Sequence, residues 1–221
     1  MTEPRPQRTI FCPLEIEAKG LKKHGVEDSI TISGPGAQSV EKAVRDASGG
    51  PVHRHFILAG LAGGLNPKIL SGEAFWISRI LDSDANTLAM DESVNPESGS
   101  RASIHMVNTP LFSPEDKRKL HEASKADLVD MEAWAFAQAC EKLGIKWSII
   151  RGVSDDSSEN LPPGTDSLVD QSGSSRPWRI ATYLLTRPWR IPALTRLSGR
   201  TSRALENVAC ELRKLSGSTG L

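Results

Sequence analysis

Two short stretches, VDMEA at positions 129–133 and IIRGVSDD at positions 149–156, decide the fold class of this 221-residue chain. Residues 131–143 are rich in helix-forming residues, carry apolar side chains at helical spacing and stop at Gly144, which predicts a helix with a glycine C-cap. Residues 146–153 predict a buried strand. Glu132 therefore stands at a helix start, and Asp155 follows the C-terminal end of a strand, where α/β enzymes usually place their chemistry.

Similar units of strand and helix precede these stretches. The patterns predict strands at 9–12, 29–33, 55–59, 74–80 and 103–107, and helices at 14–23 and 37–47. The glycine-rich segment 60–67 predicts a turn after a strand, and the polar segment 82–100 predicts a mobile loop or a hairpin. This alternation predicts an α/β protein, a three-layer α/β/α sandwich with a mixed, mostly parallel central sheet.

The composition of the chain limits the kinds of molecule that it is expected to bind. Lys plus Arg and Asp plus Glu number 27 each, so no net charge attracts the chain to nucleic acid. The three cysteines lack the spacing of a metal site, which favours a reducing compartment and predicts no metal ligands. No apolar run is long enough to cross a bilayer, and the first residues lack a signal-peptide pattern. We expect a cytoplasmic protein without a metal or an organic cofactor.

The C-terminal part differs in composition. The sequence RPWRI occurs at 176–180 and again at 187–191, which predicts two helices begun by proline, and a third helix is predicted at 200–214. We therefore divide the chain into a catalytic domain at 1–175 and a basic helical extension at 176–221 packed on the same domain. The extension has two interpretations. Its helices pack on the core or across a dimer, or Trp178, Tyr183 and Trp189 contact a membrane surface while arginines meet phosphate groups.

The order of acid, helix, apolar strand, arginine and Ser-Asp pair resembles the nucleoside phosphorylase and nucleosidase superfamily, especially its 5′-methylthioadenosine/S-adenosylhomocysteine nucleosidase branch. The resemblance covers most of residues 9–156. It implies cleavage of the N-ribosyl bond of a purine nucleoside, in a homodimer. That reaction needs a proton donor for the leaving base, contacts to the ribose, and a nucleophile at the anomeric carbon.

The resemblance also implies a role for each acid. Asp155 corresponds to the general acid that protonates the purine, and Glu17 to the base that activates water, with Glu15 as the alternative. Glu132 accepts hydrogen bonds from the ribose hydroxyls. The other implied substrate-binding residues are Met131, Ser154, Arg151, Gly63 and Ala62. Taken alone, each acid has a structural interpretation too, as an acid near a helix N-terminus or in a turn.

The nucleophile is the point at which the motifs depart from the family. In nucleosidases a serine stands where this chain has Leu61, and the phosphorylases place an arginine before this segment, where this chain has Leu58 and Ala59. The usual phosphate site is therefore incomplete, which favours water as the nucleophile, while phosphate stays open as a co-substrate. The loss of the hydroxyl at position 61 also fits a non-catalytic module that binds a nucleoside or a lipid.

A narrower resemblance involves segments 113–120 and 126–132 together with the Arg/Pro/Trp-rich C-terminal part. These are similar to the bacterial hopanoid-associated phosphorylase subgroup, which is linked to the release of adenine from adenosylhopane. This resemblance implies a 5′-substituted adenosine as substrate and a role in hopanoid biosynthesis.

Overall fold

Strands and helices alternate along the chain. The computed structural model describes residues 7–49, 54–84, 86–89, 99–159 and 191–217. In chain order the elements are β1 (Gln7–Cys12), α1 (Glu15–Lys23), β2 (Ser29–Ile32), α2 (Ala37–Ala47), β3 (Arg54–Gly64), β4 (Ala74–Leu81), β5 (Thr87–Ala89), β6 (Arg101–Met106), α3 (Pro114–Ser124), β7 (Leu128–Asp130), α4 (Ala133–Lys142), β8 (Lys146–Asp155) and α5 (Ile191–Gly217).

The strands form one mixed sheet that curls on itself. Within the described residues its order is β2-β1-β3-β7-β6-β4-β5, and β8 pairs with both β3 and β4. Strands β3, β8, β4, β6 and β7 thus close into a ring, while β1 and β2 extend it alongside β3. The pairs β1–β2, β1–β3, β3–β8, β4–β6 and β6–β7 are parallel. The predicted mixed, mostly parallel sheet is confirmed.

Helices cover both faces of this sheet. Alternate residues of a strand point to opposite faces, and the core divides accordingly. Phe11, Phe56 and Leu58 pack with α2 and α4 on one face. Ile10 and Ile57 pack with α1 and α5 on the other. The three-layer arrangement predicted from the alternation of elements is therefore confirmed.

The glycine-rich segment departs from the prediction. We expected a turn from residue 60, but β3 continues to Gly64. Its residues up to Ala62 stay in parallel register with β8, and Gly63 and Gly64 then pair with β7. Neighbouring strands thus take up the backbone groups that a turn would have left unpaired. The predicted turn therefore begins later than expected, after Gly64, where the Ile69 N–H donates to the Asn66 carbonyl at 3.0 Å.

Other boundaries differ less. Helix α4 begins at Ala133, so Met131 and Glu132 precede it, and β8 runs on to Asp155. Strand β5 pairs antiparallel with β4, so the start of segment 82–100 forms a hairpin. Helix α3 and strand β7 were not predicted. The two proline-started helices lie outside the described residues apart from position 191, and the third predicted helix belongs to the longer α5.

Candidate active site

Four buried ionisable side chains meet where β3 and β8 run side by side. Arg151 of β8 is opposite Gly60 of β3 and is completely buried. Its Nε donates to Asp130 Oδ2 at 3.0 Å, its Nη2 also contacts Asp130, and Nη2 lies 3.4 Å from Glu132 Oε2. Glu17 approaches the same point from α1. The structure therefore brings Glu17, Glu132 and Arg151 together, as the motifs predicted.

Glu17 is fixed by two main-chain amides. Leu14 N–H donates to its Oε2 and Leu61 N–H to its Oε1, both at 2.8 Å. Gly60 makes this approach possible, since a Cβ on that residue would stand 2.5 Å from Glu17 Oε1 and 2.9 Å from Arg151 Nη1. Glu15 points outward and pairs with Lys19 at 2.8 Å. Of the two candidate acids on α1, Glu17 is therefore the one that reaches the cluster.

The cluster places three carboxyl groups around a single cation, Arg151. Burial raises the pKa of Glu17, and the Arg151 charge offsets part of that rise. Burial and the neighbouring Asp130 raise the pKa of Glu132 to about 7, against the opposing effects of Arg151 and the Gly36 N–H. That amide donates to Glu132 Oε1 at 2.8 Å. Carboxyls with pKa values moved toward neutrality are suited to accepting and releasing protons.

One NH₂ group of Arg151 makes no hydrogen bond to the described residues. Its Nη1 is buried and has no hydrogen-bond partner among the described residues. Buried polar groups are nearly always hydrogen-bonded, and a buried N–H of a cation is costly to leave unsatisfied. Since Nη1 and Glu17 Oε1 both come close to Gly60, this is a place where a small polar molecule would meet a donor and an acceptor.

Asp155 lies farther along the same pair of strands. It is opposite Gly63, three residues beyond Gly60, which corresponds to roughly 10 Å along β3. Ser154 Oγ lies 2.5 Å from Asp155 Oδ1 and 3.1 Å from the Ala62 carbonyl oxygen. Asp155 Oδ2 accepts from Lys117 Nζ of α3 at 2.5 Å. The predicted residues thus form two groups, one around Arg151 and one around Asp155.

The two groups lie along one ladder. Parallel β3 and β8 carry Gly60 and Arg151 at one level, and Gly63 and Asp155 at a second level three residues farther along β3. Both levels are near the C-terminal ends of the two strands, the edge at which open α/β sheets bind ligands. Met131 is half-buried beside Glu132 in the chain.

Sequence reasoning missed two residues of this site. Asp130 holds Arg151, and its carboxylate also accepts from the Ala133 N–H at the start of α4. Its place in the VDMEA stretch was the available signal. Lys117, with 1% of its surface exposed, belongs to a helix that was not predicted. The spacing of Lys117 to Leu120 on an amphipathic helix was the one sign that it faces inward.

Part of the chain matches a known protein family in sequence. The family model described as the phosphorylase superfamily matches residues 100–185, a segment that includes Lys117, Asp130, Glu132, Arg151 and Asp155. No curated protein matches the chain in sequence. The resemblance to the superfamily that the motifs predicted is therefore confirmed over this segment.

Solved structures share the fold over nearly the whole chain. A 5′-methylthioadenosine/S-adenosylhomocysteine nucleosidase from Helicobacter pylori aligns with a TM-score of 0.70 at 13% identity, over 97% of this chain and 100% of that one. A futalosine hydrolase from Helicobacter pylori gives 0.69 at 14%, over 96% and 98%. The nucleosidase from Campylobacter jejuni gives 0.69 at 13%, over 96% and 99%. The fold is that of the nucleosidases.

The described residues also bear on metal ions and membranes. In the described part of the chain, no three or more His, Cys, Asp or Glu side chains come together in a way that would hold a metal ion. Over the same residues, no helix combines the length and the apolar composition needed to span a membrane.

Proposed function

We propose that this protein hydrolyses the N-ribosyl bond of a purine nucleoside. The observation that carries the proposal is the convergence of Glu17 Oε1 and the unpartnered Nη1 of Arg151 on one point beside Gly60. A water molecule bound there would donate to the carboxylate and accept from the guanidinium. Such a water is oriented and has a base beside it, as nucleophilic attack requires.

The reaction assigns each buried group one role. The water oxygen bonds to the anomeric carbon while its proton passes to Glu17. The C–N bond breaks, and Asp155 delivers a proton to the departing purine. Glu132 accepts hydrogen bonds from the ribose hydroxyls, since a carboxylate has acceptor capacity beyond its bonds to Gly36 and Arg151. Arg151 keeps the surrounding acids from repelling one another. The two groups stand roughly 10 Å apart along β3, so the nucleophile and the proton donor would act on different parts of one substrate.

Local geometry favours water over phosphate. The segment that would hold phosphate in a phosphorylase is here part of strand β3, and the Leu61 N–H is already bonded to Glu17. The residue at position 61 offers an apolar side chain packed toward the α1/α5 face rather than a hydroxyl. Phosphate remains the alternative co-substrate that the experiment distinguishes.

The finer proposal concerns the substrate. We propose a 5′-substituted adenosine that releases adenine, because two of the similar solved structures are named as 5′-methylthioadenosine/S-adenosylhomocysteine nucleosidases. Adenosylhopane, suggested by the subgroup resemblance, is one such compound, and it would place the protein in hopanoid biosynthesis. A homodimer in the cytoplasm, with peripheral membrane contact through the basic extension, completes the proposal.

Base release tests it directly. The purified protein would be incubated with adenosine, methylthioadenosine, futalosine and an adenosine bearing a long apolar 5′-chain, with and without phosphate, in ¹⁸O-labelled water. We expect free base and label in the sugar. Formation of a sugar 1-phosphate would instead establish a phosphorylase, and ligand binding without base release would establish a binding module.

Two neighbouring aspartates supply a matched pair of variants. Asp155→Asn removes the proposed proton donor and should lower kcat by about 10²–10⁴-fold. Asp156→Asn changes a carboxylate whose Oδ1 is bonded to the Ser158 side chain and amide at the surface, so kcat should stay within a few-fold of the original. Equal activity of the two variants would remove Asp155 from the mechanism.

A further inference from the structure

Lys117 is a lysine with almost no access to solvent. It projects from α3, which begins at the N-cap Ser113 and Pro114, and 1% of its surface is exposed. Its Nζ donates to Asp155 Oδ2 at 2.5 Å, to the Asp156 carbonyl at 2.7 Å and, more weakly, to the Glu159 carbonyl at 3.4 Å. These are three acceptors for the three protons of an ammonium group. The geometry identifies a buried ion pair, with Asp155 as the charged partner.

Among the described residues, the other charged groups near Asp155 are bonded to partners of their own. Asp156 is bonded to Ser158, and Glu159 pairs with Arg200 of α5. On α3 itself, Asp116 is bonded to Ser113, and the His121 ring contacts the Ala126 carbonyl. On the β7 side, Asp130 is bonded to Arg151. Strand β3 contributes Ala62 and Gly63, neither of which ionises. In the described part of the chain, Lys117 is therefore the charged group in direct contact with Asp155.

A general acid in this setting faces a difficulty. An ammonium group beside a carboxyl group favours the ionised carboxylate, and a carboxylate has no proton to give. The difficulty disappears if the proton is counted for the pair, because interacting groups this close titrate together. One transferable proton then belongs to Lys117 and Asp155 jointly.

We propose that Lys117 positions Asp155 and holds the proton that Asp155 delivers to the departing base, an inference that rests on the proposed function. During cleavage the proton moves from Lys117 Nζ to the Asp155 carboxyl group and from there to a ring nitrogen of the purine. Asp155 ends as a carboxylate and Lys117 as a neutral amine. The attacking water gives one proton to Glu17, which later releases it to solvent, and solvent returns a proton to the pair.

The pH profile of Lys117→Met tests this role. Without the lysine, Asp155 lacks the neighbouring group that holds its proton, so the kcat of K117M relative to that of the original protein should fall as the pH rises. Comparing the two proteins at each pH cancels the effect of Glu132, whose pKa of about 7 lies in the same range. We expect a larger loss of kcat in K117M at pH 8 than at pH 5.

The matched control is Lys119→Met on the same helix. Lys119 is exposed and pairs with Glu115 at 2.8 Å, so its removal should leave the profile unchanged. If K117M lost activity by the same factor at every pH, its role would be structural and the proposal would be overturned. An unchanged K117M profile would overturn it as well.

A second measurement does not depend on turnover. Carbon-13 NMR of labelled aspartate carboxyls, with Asp155 assigned through Asp155→Asn, should show the chemical shift of this carboxyl group displaced in K117M and unchanged in K119M, because only the first variant loses the neighbouring cation. Identical chemical shifts in the two variants would refute the pairing. A displaced chemical shift in a protein that releases no base would instead refute the proposed function and leave the pairing intact.

Discussion

At the scale of single residues, the position of Glu17 decides which acid of α1 takes part in the reaction. Glu17 is 3% exposed and is held by two amides, whereas Glu15 projects into solvent. We predict that Glu17→Gln lowers kcat by about 10²–10⁴-fold, since the amide keeps the shape but cannot take a proton from water. Steady-state base release, with circular dichroism to verify folding, is the measurement.

The adjacent acid provides the control for this prediction. Glu15→Gln removes an exposed pair with Lys19, and such surface pairs contribute about 0–1 kcal/mol to stability. Its kcat and KM should match those of the original protein. A large loss in Glu15→Gln with none in Glu17→Gln would reverse the assignment.

Sequence could indicate these residues, but not their contacts. Glu17, Glu132, Arg151 and Asp155 stand in recognisable motifs, and the structure places the first three together. Lys117 was missed because one lysine in a basic, polar segment resembles any solvated residue. What distinguishes it is the Asp155 carboxylate 38 positions away, a long-range contact that no local pattern encodes.

At the scale of elements, the position of helix α5 depends on the absence of a side chain at Gly152 of β8. A Cβ on Gly152 would stand 2.9 Å from both the Cβ and the carbonyl oxygen of Ala204. We predict that Gly152→Ala forces α5 away from the sheet and lowers the free energy of unfolding by about 1–3 kcal/mol. The urea midpoint should fall, with the slope of the transition unchanged.

Gly49 offers a comparison for that variant. A Cβ there would have no heavy atom within 4 Å, so Gly49→Ala should shift the urea midpoint little or upward. Equal midpoints for the two variants would show that α5 has room to spare against β8, contrary to the close packing of Ala204, Leu205 and Val208.

The same reasoning explains why the glycine-rich segment was misread. Glycine is enriched in turns because it tolerates unusual dihedral angles, so the pattern at 60–65 predicts a turn. Here Gly60 is needed for space beside Glu17 and Arg151, and the backbone stays extended. The two uses of glycine cannot be distinguished without knowing what approaches it. The helices at 37–47 and 131–143, whose periodicity is local, were predicted to within about two residues.

At the scale of the whole molecule, the order of elements was enough to predict the layers but not the closure of the sheet. Alternating strands and helices require helices on both faces of a mostly parallel sheet. The ring of β3, β8, β4, β6 and β7 depends on pairings between strands far apart in the chain, such as β4 with β8. It is this ring that brings α3, with Lys117, to the end of β8.

One buried histidine should contribute to the pH dependence of the stability of the whole fold. His55 of β3 lies 2.6 Å from the Ser148 hydroxyl of β8, and burial, with Arg8 and Lys146 adding to it, lowers its pKa to about 4. The unfolded chain binds a proton near pH 6.5, so the stabilisation is complete above that pH and is lost as the pH falls toward 4. Between pH 7 and pH 5 the loss should be about 2 kcal/mol.

Substitution isolates that contribution from those of the other ionisable groups. His55→Gln keeps a hydrogen-bonding side chain beside Ser148 but cannot take up the proton. Relative to the original protein, its unfolding free energy at pH 5 should therefore be about 2 kcal/mol higher than the difference between the two proteins at pH 7 would give, because the opposite contribution of Glu132 is common to both. His24→Gln, at the C-cap of α1, should preserve the original pH dependence. Urea unfolding at both pH values measures the difference, and parallel curves for His55→Gln and the original protein would show that His55 stays neutral in the unfolded chain as well or is already protonated in the folded one.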